Sequence, residues 1–394
     1  MKNSTDRIDP IRLSSPRAGG EVFTKLMKIP GVQMIYVSAL ACTRHRNIDF
    51  IRMQRAGRLS FLLFSEVDMV TGDYITKTKD AAAEIAAERQ PTGIILLTGC
   101  QSALLSTDYK LLSQEIEQEI GVPVRVHDGC RLCGFDEEKG GSSAADQLLY
   151  AFLRPDARSE APSVNILGSA EPDPDSELFS ILKAAGVQTV NWLSGCKTFA
   201  QYQQMARAHL NILASPQDLP IAEQLQESLG IPWVCLGGIY SCADLAASYQ
   251  KLGELLGCSV DFAPAQERSA KKLQEVRQLL GARSIAVHGD GEIAKWLLQE
   301  GFSVESLHLN PHQGLTPQLR AWFEKNAENC RIELAGRGGA GKPGGDHGPG
   351  APHGGGGRPG APRPDQSAGP LKLGFAGSIA VLEALEQGMG GASR

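Results

Sequence analysis

Short apolar runs of β type recur along this chain, each separated from the next by a stretch of helical period. The runs at 32–37, 59–64, 94–97 and 122–126 are four to six residues long and rich in Ile, Leu and Val. That is too short for buried helices, and turn residues separate them from what lies between. Between them, 76–89 is alanine-rich and charged, a good helix by propensity. Ser106-Thr107-Asp108 can cap a helix in which Leu111, Leu112, Ile116 and Ile120 recur at helical spacing. Strand, helix, strand in this rhythm predicts a parallel sheet, because parallel neighbours need a crossover between them.

After a Pro-, Asp- and Ser-containing linker at 154–162 the rhythm restarts. Strands are expected at 164–167, 187–192, 210–213 and 231–236, with helices at 175–185, 199–209, 219–229 and 243–256. A connecting helix at 267–280 then leads to a strand at 284–287, a helix at 292–300 and a strand at 330–334. From 336 to 370 the composition collapses to Gly and Pro, which cannot bury enough apolar surface to offset the entropy of ordering, so this insertion is expected to be disordered. Order is expected to resume at 371 with a turn and a closing helix. The expected architecture is α/β, with three Rossmann-like doubly wound parallel-sheet domains. They fall at 21–160, 161–266 and 267–335 with 371–394, preceded by a polar, extended arm at 1–20.

The formal net charge of −5 and the 6% aromatic content give no phosphate track or stacking platform, so nucleic acid is not expected as a partner. No window approaches the roughly 18 apolar residues that span a bilayer, and the first residues lack the apolar core of a signal peptide. A cytoplasmic protein with reduced thiols is therefore expected, which an odd count of nine cysteines suits.

Those thiols are the chemical feature of the chain. The run 32–37 is followed by Cys42, 94–97 by Gly99-Cys100, and 122–126 by Gly129-Cys130, with Cys133 one C-x-x-C step later. In an open parallel sheet the strand ends share one edge, where α/β proteins hold ligands. Thiolates gathered there suit an iron–sulfur cluster. Four sulfurs also suit zinc, although these cysteines do not form two short knuckles. Cys196, Cys235, Cys242, Cys258 and Cys330 read as structural. His45, between Arg44 and Arg46, would place positive charge near Cys42, lowering a thiolate pKa or meeting an anionic substrate; an exposed basic turn is the alternative. His127-Asp128 could donate protons beside Cys130, or could simply close a hydrogen-bonded turn.

Three other motifs carry less. The stretch from Gly336 to Pro343 has the G-x-x-x-x-G-K core of a phosphate loop, but Pro343 stands where magnesium needs Ser or Thr. His288-Gly289-Asp290-Gly291 lacks the full dinucleotide fingerprint and reads as a tight turn with some ligand contact. His347 and His353 rank low as metal ligands within the Gly/Pro segment.

The order of these motifs resembles the nitrogenase component 1 family. The likeness rests on the strand leading to Cys42, on L-S-F-L-L-F-S-E-V-D-M-V-T-G-D, on I-I-L-L-T-G-C ending at Cys100, and on G-V-P-V-R-V with G-F ending at Phe135. It continues through V-N-I-L-G at 164–168, H-L-N-I-L-A-S at 209–215, L-G-I-P-W at 229–233 and L-G-F-A-G-S-I-A-V-L at 373–382. The family includes nitrogenase subunits, cofactor-assembly scaffolds, dark-operative protochlorophyllide reductase subunits and a nickel-tetrapyrrole reductase. The resemblance implies a three-domain subunit that dimerises with itself or a paralogue, holds a cluster at the subunit interface through cysteines, and takes electrons from an ATP-dependent iron protein. Cys42 and Cys100 look like the second and third cluster cysteines of the nitrogenase α subunit. The first would fall near 16–20, where there is none, which implies a smaller [4Fe–4S] cluster, with Cys130 or Cys133 as a replacement ligand. The cysteine that anchors the molybdenum–iron cofactor would fall at Ser215, a poor ligand, so dinitrogen reduction is not expected. The expected function is a nitrogenase-like reductase subunit of unknown substrate. A scaffold for metallocluster assembly and a cluster-free regulatory paralogue are the alternatives.

Overall fold

The computed structural model describes residues 11–14, 25–39, 54–99, 101, 104–128, 144–168, 170–309, 315–334 and 370–391. Its strands form three separate four-stranded sheets, every pairing parallel. The first strand, Ile11–Ser14 (β1), belongs to the last of them.

The first sheet contains Val32–Ala39 (β2), Leu59–Phe64 (β3), Gly93–Thr98 (β4) and Val124–Asp128 (β5), in the order β3-β2-β4-β5. Glu66–Thr71 (α1) and Asp73–Arg89 (α2) connect β3 to β4, and Tyr109–Ile120 (α3) connects β4 to β5. All six residues of β4 are buried, as expected of a strand covered on both faces. Gly93 opens β4 because the Phe152 ring packs against it; a Cβ there would overlap that ring. β5 starts two residues later than the apolar run that predicts it, since Pro123 has no N–H to give the ladder. Ala144–Leu148 (α4) closes this unit.

The second sheet contains Ser163–Leu167 (β6), Thr189–Trp192 (β7), Leu210–Leu213 (β8) and Trp233–Cys235 (β9), in the order β7-β6-β8-β9. Its connections are Glu177–Ala184 (α5), Phe199–Gln204 (α6) and Leu219–Leu229 (α7), with Cys242–Leu256 (α8) following β9. The expected helix at 199–209 passes into a 3-10 turn at Met205–Arg207 instead of running on. A buried amide ladder crosses this sheet in register. Asn191 Nδ2 donates to Asn165 Oδ1 (3.1 Å), and Asn165 Nδ2 donates to Asn211 Oδ1 (2.9 Å) and to the Met205 carbonyl (2.8 Å). One apolar core joins the first two units, with Met34, Ile95, Leu97 and Phe152 from one side and Leu167, Tyr202, Leu213 and Ile221 from the other.

The third sheet takes Ser284–His288 (β10), Ser303–Leu309 (β11) and Arg331–Leu334 (β12), in the order β1-β10-β11-β12. Ala263–Leu280 (α9) precedes it, Gly291–Gln299 (α10) and Pro317–Asn326 (α11) connect its strands, and Gly374–Gly391 (α12) ends the described chain. Residues 11–14, expected as part of an extended arm, pair instead with β10, register Ile11↔Ile285 to Ser14↔His288. The partner edge, not the four residues, makes this strand. α12 packs on α9 and β1, burying Val381, Leu382 and Leu385.

Candidate functional site

In both of the first two sheets the strand order reverses between the two central strands, β2 and β4 or β6 and β8. The connections on either side diverge there, leaving the crevice in which open α/β sheets bind ligands. β2 ends at Ala39, three residues before Cys42, and β4 at Thr98, two before Cys100. β5, beside β4, ends two residues before Cys130. Cys42, Cys100, Cys130, Cys133 and His45 themselves lie outside the described residues, as do His347, His353 and the 336–343 motif. The two strands leading to Cys42 and Cys100 are adjacent and parallel and end on the same edge.

A residue that motif and spacing do not single out organises that edge. Backbone pairing of β2 with β4 stops at Tyr36↔Leu97, whereas β2 continues to pair with β3 as far as Ala39↔Phe64. On the β4 side this would leave the Val37 carbonyl and the Ala39 N–H unpaired. The Gln101 carboxamide takes both: Oε1 accepts from the Ala39 N–H, and Nε2 donates to the Val37 carbonyl at 3.3 Å. A residue opposite Ser38 in a parallel ladder would make this same pair of bonds. Gln101 is buried, at 5% exposure. Ser38 is fully buried too, and its Oγ has no hydrogen-bond partner among the described residues. His127 sits on β5 opposite Leu97 and is buried. Asp128 is its neighbour on the strand, opposite Thr98.

Exposed apolar side chains stand on the segments that follow these strand ends. Val67 is 68% exposed, Val70 88% and Leu104 74%. All three follow the carboxyl ends of β3 or β4 in the chain. The short helix α1 is nonetheless firmly built. Ser65 and Asp68 form a reciprocal capping box, and the Lys77 ammonium beside Asp68 (2.6 Å), with the Ser65 N–H, lowers its carboxyl to about 2.

At the matching edge of the second sheet, Ser215 follows β8 and its Oγ accepts from the Gln217 N–H, capping a turn. Gly168, following β6, is held by the Tyr150 hydroxyl, which accepts from its N–H (2.8 Å). Burial drives the Tyr150 hydroxyl pKa far above its ordinary value. The Lys25–Asp146 ion pair (2.7 Å) lies in the unit that carries Tyr150. Residues 371–376 cross this edge: the Leu371 N–H reaches the Glu171 carbonyl, the Gly374 N–H the Leu236 carbonyl, and the Ala376 N–H Glu177 Oε1 (2.7 Å). Desolvation raises the Glu177 pKa.

The turn at His288-Gly289-Asp290-Gly291 is a capped helix start. Asp290 Oδ1 accepts from the N–H groups of Glu292 and Ile293, the donors a phosphate would need. Gly289 donates to the His308 carbonyl. The His288 and His308 rings stack at 4.4 Å, and His308 is held by Ser306 (2.9 Å) and Glu333 (3.1 Å). β11, which carries Ser306 and His308, does not follow from periodicity alone, so this cluster is invisible in the sequence.

The five described cysteines form no disulfide, and among the described residues no three His, Cys, Asp or Glu side chains gather as a metal site. Cys196 donates to the Trp192 carbonyl (3.4 Å) and Cys242 to Ser269 Oγ (3.6 Å). Burial pushes the Cys196 and Cys330 thiols up, away from the thiolate a ligand requires.

Three parallel sheets in one chain, with candidate thiols following the central strands of the first in sequence, define an α/β protein of the kind that binds ligands at strand ends. Residues 18–300 match the nitrogenase component 1 type oxidoreductases, and the chain belongs to that family. It is 25% identical over 262 residues to the nitrogenase iron-molybdenum cofactor biosynthesis protein NifE of Klebsiella pneumoniae, covering 61% of this chain and 56% of that protein. It is 24% identical over 228 residues to one subunit of the light-independent protochlorophyllide reductase of Synechococcus elongatus, covering 52% and 44%. The chain thus spans about half the length of these relatives. The fold is that of the solved structure "Nitrogenase Cp1 at pH 6.5", with a TM-score of 0.63 at 14% identity over 99% of this chain and 94% of that one. No described helix is long and apolar enough to cross a membrane.

Proposed function

We propose that this chain is a nitrogenase-like reductase subunit. It takes electrons from an ATP-dependent iron protein through an interface [4Fe–4S] cluster and passes them to a substrate other than dinitrogen. The carrying observation is the adjacency of β2 and β4, whose shared edge precedes Cys42 and Cys100 in the chain. The donor set suits the group: two soft thiols per chain, four in a dimer, with Cys130 and Cys133 as further candidates. A cluster at that edge supplies one-electron transfer. The chain's own part is to hold the two strand ends together, and to present apolar surface at Val67, Val70 and Leu104 to a second subunit, a copy or a paralogue, or to the iron protein. The turn at 288–291 is occupied by its own Asp290, which supports a component that leaves nucleotide hydrolysis to its partner.

In this reading the chain folds as domains at 21–160, 161–266 and 267–335 with 371–394, the strand at 11–14 joining the third. The substrate lies between the domains, and His45, His127 and Asp128 are candidate proton donors. The protein works in the cytoplasm.

A metallocluster-assembly scaffold is the second reading, favoured by the similarity to a cofactor biosynthesis protein. Anaerobic purification with iron analysis and EPR tests both. An iron-free protein with full secondary structure overturns them together and leaves the cluster-free paralogue. Given iron, consumption of reductant per substrate with an iron protein present supports the reductase, and release of a cluster to an acceptor supports the scaffold.

A further inference from the structure

We infer that Gln101 is the positioning residue of the cluster site, acting as a side-chain extension of the β4 ladder that sets the spacing of the two strand ends preceding Cys42 and Cys100 in the chain. The inference rests on the cluster reading above. Its physical basis is the bond pattern. A parallel ladder joins a residue on one strand to the carbonyl before and the N–H after the residue opposite. The Gln101 carboxamide makes that pair of contacts, to the Val37 carbonyl and the Ala39 N–H, one step beyond the last backbone pairs of β2 with β4. In sequence it stands immediately after Cys100, and its partner Ala39 stands three residues before Cys42. One side chain therefore fastens the segment that carries one thiol to the strand that leads to the other, at the point where the crossovers diverge and backbone pairing ends.

Only a carboxamide of this length performs the task. Glu offers the acceptor for Ala39 but no donor for Val37, Leu offers neither, and Asn is a methylene short. The site is buried, so water cannot stand in for the missing partner without opening the edge. Losing one ordinary hydrogen bond weakens the spacing by about a factor of five, and losing both by about tenfold or more.

The test compares the full-length chain with Gln101→Glu and Gln101→Leu, with far-ultraviolet circular dichroism as the check of fold. Each is loaded anaerobically with ferrous iron and sulfide, then assayed for bound iron and for the EPR spectrum of the reduced cluster. Separately, the apo-proteins in a Cys130→Ala/Cys133→Ala background are titrated with phenylarsine oxide, which needs two close thiols; a Cys42→Ala control removes the background. The expected order in both assays is wild type, then Glu, then Leu, with altered EPR line shape in both variants and about tenfold weaker arsenical capture in Leu. Wild-type protein that takes up no iron overturns the cluster reading, and the arsenical titration then decides the positioning role alone. Iron-loaded wild type with folded variants of unchanged spectrum and unchanged capture overturns the role of Gln101 and leaves the cluster reading standing. If Leu fails to fold, the isosteric Glu variant decides on the same criteria.

Discussion

The amide ladder of the second sheet gives the sharpest test of how this fold is held. Asn165→Ala removes one side chain and three hydrogen bonds. Asn211 Oδ1 loses its donor, Asn191 Nδ2 loses its acceptor, and the Met205 carbonyl keeps only the longer bond from the Ala208 N–H (3.4 Å). Asn165 and Asn211 are fully buried, whereas Asn191 is half-buried and can turn to water. One acceptor stranded in a dry sheet costs about 1–3 kcal/mol and the weakened Met205 carbonyl adds less, so a loss of about 2 kcal/mol is expected, roughly thirtyfold in the opening equilibrium. A chain of three sheets need not unfold in one step, so the measurement is native-state hydrogen exchange of the β6 and β8 amides, Ile166 and Ile212 among them. Asn165→Leu/Asn211→Leu should recover part of the loss, because a pair of apolar side chains leaves no acceptor stranded between the strands. The two single changes should be non-additive by about 1 kcal/mol or more. A loss under about 0.5 kcal/mol, or strict additivity of the pair, refutes the ladder as a stabilising network.

Three further outcomes are expected. Gly374 has φ +62°, and a Cβ there would collide with the Tyr249 hydroxyl, so Gly374→Ala should cost about 2 kcal/mol or more and lower the thermal midpoint. Glu177 has a folded pKa raised by burial, so its contribution is complete below the ordinary carboxylate range and is lost as pH rises through the raised value; Glu177→Gln should abolish that part of a stability-versus-pH profile, and an unchanged profile refutes it. Val67→Asp with Val70→Asp should leave stability within about 0.5 kcal/mol, the two side chains being exposed, yet weaken association measured by sedimentation; undiminished association removes this face from the interface.

Much of the fold is legible from local chemistry. The run I-I-L-L between Gly93 and Thr98, bounded by turn residues, reads as a strand buried on both faces, and β3, β8 and α7 fall at the expected residues because their apolar periods and turn residues agree. Thiols following β2, β4 and β5 are legible for the same reason, since strand ends can be read from composition. The class of fold and the order of its elements are thus set locally, because period 2 and period 3.6 are written in adjacent residues. Residues 11–14 are a different case: they become a strand through a partner, β10, that lies more than 270 residues away. The neighbouring of β2 and β4 across an intervening strand, and the glutamine after Cys100 that completes the ladder between them, are likewise products of assembly. Such pairings depend on surfaces brought together from distant parts of the chain, and no local pattern encodes them.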